Sequence, residues 1–407
     1  MPIDLALLTE ATGDLLDVEI VELKGLGHPD TICDHLAEEL SLSLSRFYIN
    51  HFGRVLHYNV DKALLWGGRS RPAFGGGDIL EPMEFFLAGR ATTSFRGVDV
   101  PVEELAREAV ERWFSANLPL LDPRSDLKTH CLVRAVSSDL ADLFERGTAA
   151  TGFLANDTSC GVGYAPLSRL EAIVYDVERE LGALSTHGHP EIGRDIKVMG
   201  VRQGRRIHLT VACAFVGRFL GGMAEYQAAK GHVAEAVRRV AASRDADASI
   251  EVNAGDDPAS GSVYVTVTGT SAENGDDGQA GRGNRINGLI APFRPTTLES
   301  VAGKNAVTHV GKLYNLAAGL IAQRAVDELA GVAEAHCLLV SSIGRPITEP
   351  QLTSLRLRLR PGSSLGDQEA GVAAIVAEEL ARLASAGEAL AAGTLRINRW
   401  PLRQGMS

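Results

Sequence analysis

The densest group of residues that could do chemistry is the run Lys24-Gly-Leu-Gly-His28-Pro-Asp30-Thr31-Ile-Cys-Asp34. It follows a predicted strand and opens a predicted helix, where Asp30 or Thr31 can cap the first turn. Free backbone N–H groups at a helix N-terminus favour an anion. His28 would then contact a phosphate oxygen, and Asp30 would hold a divalent cation. The alternative is an ordinary helix cap beside an exposed histidine, and the spacing leaves both readings open.

Two further segments place polar residues where a ligand could bind. Residues 155–166 put four polar residues beside two glycines, which favours close approach of a ligand to the backbone, with a plain turn as the alternative. The four are Asn156, Asp157, Thr158 and Ser159. In residues 193–198, Asp195 and Lys197 would share one face of a strand. There they would offer a carboxylate to a ribose hydroxyl and an ammonium to a phosphate, unless they form an exposed ion pair.

Cationic residues near glycines supply the remaining candidates. Residues 273–288 form a glycine-rich loop, predicted to be flexible and to organise around a phosphate-bearing ligand, although many such loops bind nothing. Residues 302–312 enter a helix, and lysines on a solvated helix face are the alternative there. The basic residues of the two segments are Arg282, Arg285, Lys304, His309 and Lys312. A chain with a formal net charge of −11 can hold a polyphosphate only where such cations cluster.

The composition excludes several classes of protein. Among 407 residues, 40 are basic and 51 are acidic, and aromatic residues make up 5%. Such a chain is a poor candidate for binding nucleic acid, which needs a basic face or stacking platforms. No apolar run reaches the ~18 residues that cross a membrane, and the acidic start does not resemble a signal peptide. Five scattered cysteines without a CxxC pair predict reduced thiols in a cytoplasmic protein.

Several common catalytic motifs are absent from the sequence. No GxxxxGK[ST], complete GxGxxG or HExxH occurs. His187 and His189 could present two imidazoles to a metal. With no carboxylate or cysteine partner in view, the pattern favours a surface turn at these residues.

The candidate segments need a framework of strands and helices, and the hydrophobic pattern predicts one. Period-two or continuous apolar runs predict strands at residues 16–22, 54–60, 129–137, 207–215, 262–268, 336–341 and 355–359. Apolar residues at i, i+3 and i+4 predict helices at residues 32–47, 102–114, 170–181, 224–240, 307–329 and 371–383. Because strands and helices do not strictly alternate, the pattern favours an α+β fold over a doubly wound sheet.

Five segments, in this order, resemble the S-adenosylmethionine synthetase (methionine adenosyltransferase) family in its archaeal-type form. They are GHPDTICD, LANDTSCGVGYAPLS, GRDIKVMG, NGDDGQAGRGNRINGLI and AGKNAVTHVGKLYN, and the likeness spans residues 22–350. The resemblance implies that residues 1–407 form one unit of three similar, interleaved α+β domains with pseudo-threefold symmetry. It also implies a homodimer, in which sheets of the two subunits pack together around the active sites.

The resemblance further implies a reaction between ATP and L-methionine. The thioether sulfur attacks the ribose 5′-carbon to give S-adenosylmethionine, and the triphosphate is hydrolysed to phosphate and pyrophosphate. Mg²⁺ and K⁺ are the implied cofactors. A thioether attacks without losing a proton, so no general base or reactive cysteine is required, and alignment plus stabilisation of the leaving group carries the reaction. Two other functions stay open: an enzyme acting on another amino acid or nucleotide, and a non-catalytic nucleotide-binding homologue.

Roles for individual residues follow from the same resemblance. His28 matches the histidine near the leaving oxygen, Asp30 matches a Mg²⁺ ligand, and Asp61 falls where an acidic residue binds K⁺. Asp157 and Asp276 match methionine contacts. The residues matched to ATP are His28, Asn156, Asp157, Thr158, Ser159, Asp195, Lys197, Arg282, Arg285, Lys304, His309 and Lys312. The catalytic residues among them would be His28, Lys197, Arg282 and Lys304.

The sequence departs from the family pattern at a few of the site positions. Gly283 stands where bacterial members have a lysine directly after the arginine matched by Arg282. Thr308 and Val310 stand where they have a lysine and an aspartate. These departures leave a second metal ligand unassigned.

Overall fold

Three sheets with helices packed against them make up the part of the chain that the computed structural model describes, residues 2–136 and 153–397. The strands are β1 (Asp4–Leu7), β2 (Val18–Lys24), β3 (Tyr58–Trp66), β4 (Arg69–Ala73), β5 (Gly76–Glu81), β6 (Met83–Ala91), β7 (Ser94–Phe95), β8 (Val98–Asp99), β9 (Leu127–Ala135), β10 (Cys160–Ala165), β11 (Ile192–Gln203), β12 (Arg206–Val216), β13 (Ala248–Val252), β14 (Val265–Thr266), β15 (Gly278–Gln279), β16 (Val332–Val340) and β17 (Leu352–Leu359). The α-helices in these ranges are α1 (Pro29–Phe52), α2 (Val102–Asn117), α3 (Arg169–Thr186), α4 (Met223–Ser243), α5 (Val310–Glu328), α6 (Leu365–Ala381) and α7 (Leu383–Ala392). Among these helices, none combines the length and the apolar character that a membrane span requires.

The three sheets share one pattern of strand directions. The first sheet runs β15-β3-β6-β9, the second β2-β11-β12-β13 and the third β10-β16-β17-β1, with β14 added beside β12. In each order the first three strands are antiparallel and the fourth is parallel to the third. Helices α1 and α2 pack on the first sheet, α3 and α4 on the second, and α5 and α6 on the third. The mixed α+β architecture that the pattern predicts is confirmed.

Most predicted elements are present with shifted bounds. The strand predicted at 54–60 is β3, which continues to Trp66. The prediction stops too early because apolar residues on both faces of the second half of β3 hide the period-two alternation. The strand predicted at 262–268 shortens to β14. The strand predicted at 129–137 is β9, and its last residue, Ser137, lies outside the described residues. The apolar pattern does not predict strands β6, β10 and β11, because glycines or charged residues interrupt the pattern there.

Helices α1 and α5 are buried on most of their faces, and each begins after a histidine. The His28 Nδ1 accepts a hydrogen bond from the N–H of Asp30 at 3.2 Å. The His309 Nδ1 accepts one from the N–H of Gly311 at 3.2 Å. The cap of α1 that the sequence predicts at Asp30 or Thr31 is therefore corrected to His28, because an imidazole nitrogen reaches the free N–H groups of the first turn as a hydroxyl or carboxylate would.

The two glycines of β10 allow α5 to lie directly against the third sheet. A Cβ at Gly161 would stand 2.1 Å from the carbonyl carbon of Tyr314, and one at Gly163 would stand 2.2 Å from the nitrogen of Gly319. The close approach predicted at these glycines is thus made by a helix. The expectation that a ligand occupies this space is corrected, because backbone atoms of α5 already fill it.

A buried charge network joins the second sheet to the third. The Arg294 guanidinium donates to Glu171 of α3 at 2.8 Å and to Glu334 of β16 at 2.7 Å. Its plane also lies over the ring of Tyr164, with 4.5 Å from the guanidinium carbon to the ring centroid. Buried charges persist only when they are paired and hydrogen-bonded in this way. The network therefore fixes how these two sheets sit against each other.

Substitution of Gly163 tests the contact between α5 and β10. We expect Gly163→Ala to lower the free energy of unfolding by ~1–3 kcal/mol or more, because the added methyl group collides with helix backbone that cannot move alone. The control is Gly231→Ala in α4, where an added Cβ meets nothing within 4 Å. It should stabilise the protein by ~0.5–1 kcal/mol. Urea denaturation measures both, and a Gly163→Ala midpoint equal to the wild type would contradict the contact.

Candidate active site

The turn between β2 and α1 is fastened to β11 by backbone hydrogen bonds. The N–H of Gly25 donates to the carbonyl of Ile196 at 2.6 Å, and the N–H of Gly27 donates to that of Arg194 at 2.9 Å. A Cβ at Gly27 would stand 2.6 Å from the nitrogen of Asp195, so only glycine fits there. The turn therefore holds the N-terminus of α1 against the start of β11. The candidate residues of these two segments consequently lie close together.

Opposite charges alternate along the edge of this turn. The Lys24 ammonium lies 2.8 Å from one carboxylate oxygen of Asp30 and 3.6 Å from Glu22. The other oxygen of Glu22 lies 3.3 Å from the Lys197 ammonium. The second oxygen of Asp30 accepts the N–H of Gln279 at 2.8 Å. We call the residues around this turn, including His28, Asp195, Ser271, Asp276 and Arg282, the first cluster.

Asp195 is buried beside the short helix at Ser271–Asn274. One of its oxygens accepts the N–H of Ser271 at 2.8 Å and the hydroxyl of Ser271 at 2.5 Å. Burial raises the pKa of the Asp195 carboxyl to about 6, and the nearby charge of Asp276 adds to the rise against these hydrogen bonds. A register shift in β11 between Ile192 and Ile196 interrupts the strand alternation here, so Asp195 is enclosed while Lys197 is partly exposed.

His28 is neutral at pH 7. Burial, together with the Lys24 charge, lowers the pKa of its imidazole to about 4, although Asp30 and Asp276 act in the opposite direction. Because Nδ1 accepts the cap hydrogen bond, the ring proton is carried by Nε2. His28 can therefore offer an N–H donor to a phosphate oxygen without being charged.

Residues 273–288 are held in place by contacts with the first turn of α1 and with β2. The N–H of Gly281 donates to Asp34 at 2.8 Å. The Asn284 side chain exchanges two hydrogen bonds with the Lys24 backbone, at 3.0 and 2.7 Å. A Cβ at Gly283 would stand 2.4 Å from an Asp34 oxygen, which explains why glycine replaces the lysine of bacterial members. These contacts hold the loop against α1 and β2, and its predicted organisation around a phosphate-bearing ligand stays a prediction.

Lys304 is the centre of a second cluster. Its buried ammonium lies 2.8 Å from Asp61 and 2.7 Å from Glu299. Glu299 also accepts the Ser159 hydroxyl at 3.1 Å. Burial opposes both charges of the Asp61–Lys304 pair, but their attraction outweighs it, lowering the pKa of Asp61 and raising that of Lys304. Burial and the Glu299 charge raise the pKa of Asp157.

Three residues expected to bind ATP are engaged within the chain. Lys312 is fully buried, with its ammonium 2.7 Å from Glu38. His309 caps α5, and burial lowers the pKa of its imidazole to about 3. The Arg285 guanidinium donates to the carbonyl of Gly281 at 3.1 Å and lines an internal cavity of about 190 Å³. The structure thus places Lys312 and Arg285 away from the exposed side of either cluster, whereas the Arg282 side chain is exposed.

An open cleft of about 890 Å³ lies between the second cluster and the outer face of the first sheet. Asp157, Asn156 and His309 line it. The Oδ1 atoms of Asn156 and Asn59 are buried without a hydrogen-bond partner among the described residues, so each offers an acceptor to a ligand. Basic side chains that the sequence analysis did not single out also line the cleft: Lys62, Arg90 and Arg134. They lie on three neighbouring strands, which a linear sequence does not show.

The two clusters contact different parts of strand β3. The second cluster contacts β3 at Asp61. The first cluster adjoins the later part of the strand, where β15 pairs with Leu64 and Leu65 and the N–H of Gly67 donates to Asp277 at 2.8 Å. Among the described residues, no hydrogen bond or ion pair joins a lysine of one cluster to a carboxylate of the other.

Comparison with known proteins decides between the functions left open. The sequence profile of the S-adenosylmethionine synthetase (AdoMet synthetase) family matches residues 3–394. The chain belongs to this family. A "Probable S-adenosylmethionine synthase" of Aquifex aeolicus is 48% identical over 373 residues, 90% of this chain and 92% of the relative. The S-adenosylmethionine synthase of Methanothrix thermoacetophila is 47% identical over 366 residues, 89% of this chain and 91% of the relative.

Membership of the S-adenosylmethionine synthetase family confirms the resemblance drawn from the five motifs. The S-adenosylmethionine synthase of Hyperthermus butylicus is also 45% identical over 373 residues, 89% of this chain and 91% of the relative. The function of the chain is accordingly that of an ATP-dependent methionine adenosyltransferase.

Acid is expected to destabilise the protein through its two capping histidines. In the folded chain the pKa values of His28 and His309 are about 4 and 3, whereas an unfolded histidine has a pKa of about 6.5. Between these values the unfolded state binds more protons, so stability falls as the pH decreases from about 6.5. Asp195, whose pKa is raised, acts in the opposite direction between about pH 6 and 4.

The variant His309→Asn isolates this effect, because asparagine also caps helices but does not titrate. Its urea midpoint should fall less between pH 7 and pH 5 than that of the wild type. The exposed His208→Asn serves as the control and should behave like the wild type. An equal acid loss in His309→Asn and the wild type would mean that His309 is not neutral in the folded chain.

Proposed function

We propose that this chain performs methionine adenosyltransfer in a site built from both clusters, with the first cluster holding the triphosphate. The observation that carries this proposal is the convergence of Lys24, Lys197 and the neutral His28 at the N-terminus of α1. Backbone N–H groups at such a terminus favour an anion. The thioether sulfur of methionine loses no proton on attack, so a site whose imidazoles are neutral and already engaged as caps is suited to the reaction.

The leaving triphosphate would replace carboxylates as the partner of these cations. Glu22 holds Lys24 and Lys197 at 3.6 and 3.3 Å, which are long contacts. Phosphate oxygens form shorter, charge-assisted bonds of about 2.7–2.9 Å with ammonium groups. Charge develops on the triphosphate as its bond to the 5′-carbon breaks, so donors already in position stabilise the transition state more than the ground state. His28 Nε2–H and the exposed Arg282 complete this set of donors.

Asp30 fits the role of a Mg²⁺ ligand. Its carboxylate is a hard oxygen donor at an anion-binding helix N-terminus, and Mg²⁺ typically binds one or two carboxylates together with substrate phosphates. Its present partner, the Lys24 ammonium at 2.8 Å, would turn to the substrate phosphates when Mg²⁺ binds. When bound, Mg²⁺ would supply further neutralisation of the triphosphate.

Asp61 does not fit the expected K⁺ site. One of its carboxylate oxygens binds the Lys304 ammonium at 2.8 Å, and the other binds the ammonium of Lys62. The buried Lys304 ammonium already compensates the charge of Asp61, and a K⁺ ion there would bring a second cation beside it. No step of the proposed reaction passes through K⁺, and Lys304 is instead a cation available to the substrate phosphates.

We further propose that two chains share each active site. The expected methionine contacts, Asp157 and Asp276, belong to different clusters, as do the phosphate contacts Lys197 and Lys304. One substrate can meet both sets if the second cluster comes from the partner subunit. The first sheet offers a surface for this: on its outer face, Leu64, Trp66 and Leu132 are 45, 58 and 57% exposed.

A second copy fits this face because the two clusters contact different parts of β3. A twofold axis in the plane of the interface, perpendicular to β3, would set the first cluster of one subunit against the second cluster of the other. The cleft of about 890 Å³ opens on the same face. The homodimer implied by the sequence would thus bury an apolar surface and bring the first cluster of one subunit to the second cluster of the other.

The three sheets are proposed to be pseudo-threefold repeats within one unit of interleaved domains. Their shared strand directions support this. So do the side-chain caps of the first helix packed on each sheet, which are His28, Ser168 and His309. Interleaving is supported by β1 and β2, neighbours in sequence that join the third and second sheets.

All five cysteines are free, which accords with the cytoplasmic location expected from the sequence.

The role of Asp30 is tested by Asp30→Asn. Asparagine keeps an acceptor for the N–H of Gln279 and leaves the His28 cap in place, so the thermal midpoint should change by a few degrees at most. It removes the charge that Mg²⁺ prefers, so turnover should collapse or require much more Mg²⁺. Asp367→Asn, at an exposed helix cap, is the control for removing a carboxylate. Normal turnover with normal Mg²⁺ dependence would exclude Asp30 as a metal ligand.

The shared site is tested by mixing inactive chains. His28→Ala and Lys304→Ala remove one residue from each cluster, and each variant alone should have little activity. Co-expression produces mixed dimers with one intact site, so about a quarter of wild-type activity should return. The matched control, His28→Ala with Lys197→Ala, changes the first cluster twice and should recover nothing. Isolated mixed dimers without activity in the first pair would refute the shared site.

A further inference from the structure

Two histidines and a glutamate meet on the second sheet's side of the molecule, separate from both clusters. One side-chain donor atom from each of His189, Glu191 and His232 lies within 4.8 Å of the other two. The His189 Nδ1 is 2.9 Å from Glu191. The rings of His189 and His232 are 5.7 Å apart between centroids, at an angle of 68°. The sequence alone presents only His187 and His189 as a pair, and the fold supplies the distant third residue.

Each of the three residues stands on an anchored stretch of backbone. The N–H of His189 donates to the carbonyl of Leu184 at 3.1 Å, and the N–H of Val216 donates to the carbonyl of Glu191 at 2.8 Å. His232 lies in α4, where the next residue, Val233, is fully buried. The three side chains therefore converge from fixed positions, and only rotation of their outer bonds is needed to bring the donor atoms to equal separations.

We propose that His189, Glu191 and His232 bind a divalent transition metal ion such as Zn²⁺. In a tetrahedral site with bonds of about 2.0–2.1 Å, ligand atoms lie about 3.3 Å apart. The 2.9 Å between His189 and Glu191 is close to that separation, and a turn of the exposed His232 ring closes the rest. Two imidazoles and one carboxylate select transition metals over Mg²⁺, which prefers oxygen donors. Water would complete the coordination at this solvent-accessible position.

The ion would tie the turn before β11 to helix α4. His189 and Glu191 belong to the turn that follows α3 and leads into β11, the strand that carries Asp195 and Lys197. His232 belongs to α4, which packs beside α3. A metal that binds the folded chain and not the unfolded one raises stability by RT ln(1 + [L]/Kd), so the stabilisation grows with the concentration of free metal. The role we assign is thus a structural clamp at the entry to β11.

Titration of the metal itself tests the proposal. The full chain is treated with a chelator, returned to buffer containing Mg²⁺, and titrated with Zn²⁺ by calorimetry and with Co²⁺ by absorption spectroscopy. We expect one equivalent of tight binding, visible d–d bands of Co²⁺ and a thermal midpoint that rises with Zn²⁺. His232→Ala and Glu191→Gln should each weaken binding by at least about tenfold. His187→Ala, a neighbouring histidine outside the cluster, should bind like the wild type.

Three outcomes would overturn the site. The first is the absence of stoichiometric Zn²⁺ or Co²⁺ binding. The second is undiminished binding by both His232→Ala and Glu191→Gln, which would place the metal elsewhere. The third is equal weakening in His187→Ala and His232→Ala, which would indicate unspecific binding to surface histidines. His232→Ala changes an exposed helix position to the best helix former, so loss of folding does not obscure the result.

Discussion

The lysines of the two clusters have to be kept in place in a chain of formal net charge −11. The fold does this with carboxylates: Glu22 stands between Lys24 and Lys197, and Asp61 and Glu299 hold Lys304. For the buried Lys304, this pairing prevents an ammonium from being buried alone, which would cost several kcal/mol or more. The turn before α1 and the loop that follows β15 hold these partners within reach of one another.

The same requirement explains the most tightly packed parts of the molecule. The two clusters depend on the first turns of α1 and α5, so those helices have to be fixed as rigid bodies. Glycines in β10 bring α5 against the third sheet, and Arg294 fastens that sheet to the second through two buried carboxylates. Histidine is an unusual cap, but it satisfies the helix terminus while leaving the second ring nitrogen as an N–H donor.

The linear sequence predicted the fold class, most helices and the family, because these depend on local apolar periodicity and on five long motifs. It could not predict which strands would be neighbours, and so it missed Lys62, Arg90 and Arg134 around the cleft. Nor could it predict the pairing of Lys312 with Glu38, which becomes visible only once α1 and α5 are adjacent. The Asp61–Lys304 pair, 243 residues apart in the chain, is of the same kind.

The pairing of β1 with β17 has a consequence for how the chain is made. Asp4 bonds to Ser354, 350 residues further along the chain. Strand β1 therefore cannot pair with β17 until almost the whole polypeptide has left the ribosome. Contacts of such sequence separation are slow to form, because the entropy of closing the loop has to be met first. Through most of synthesis the N-terminal strand therefore waits unpaired, as an open edge that chaperones can shield and neighbouring nascent chains can capture.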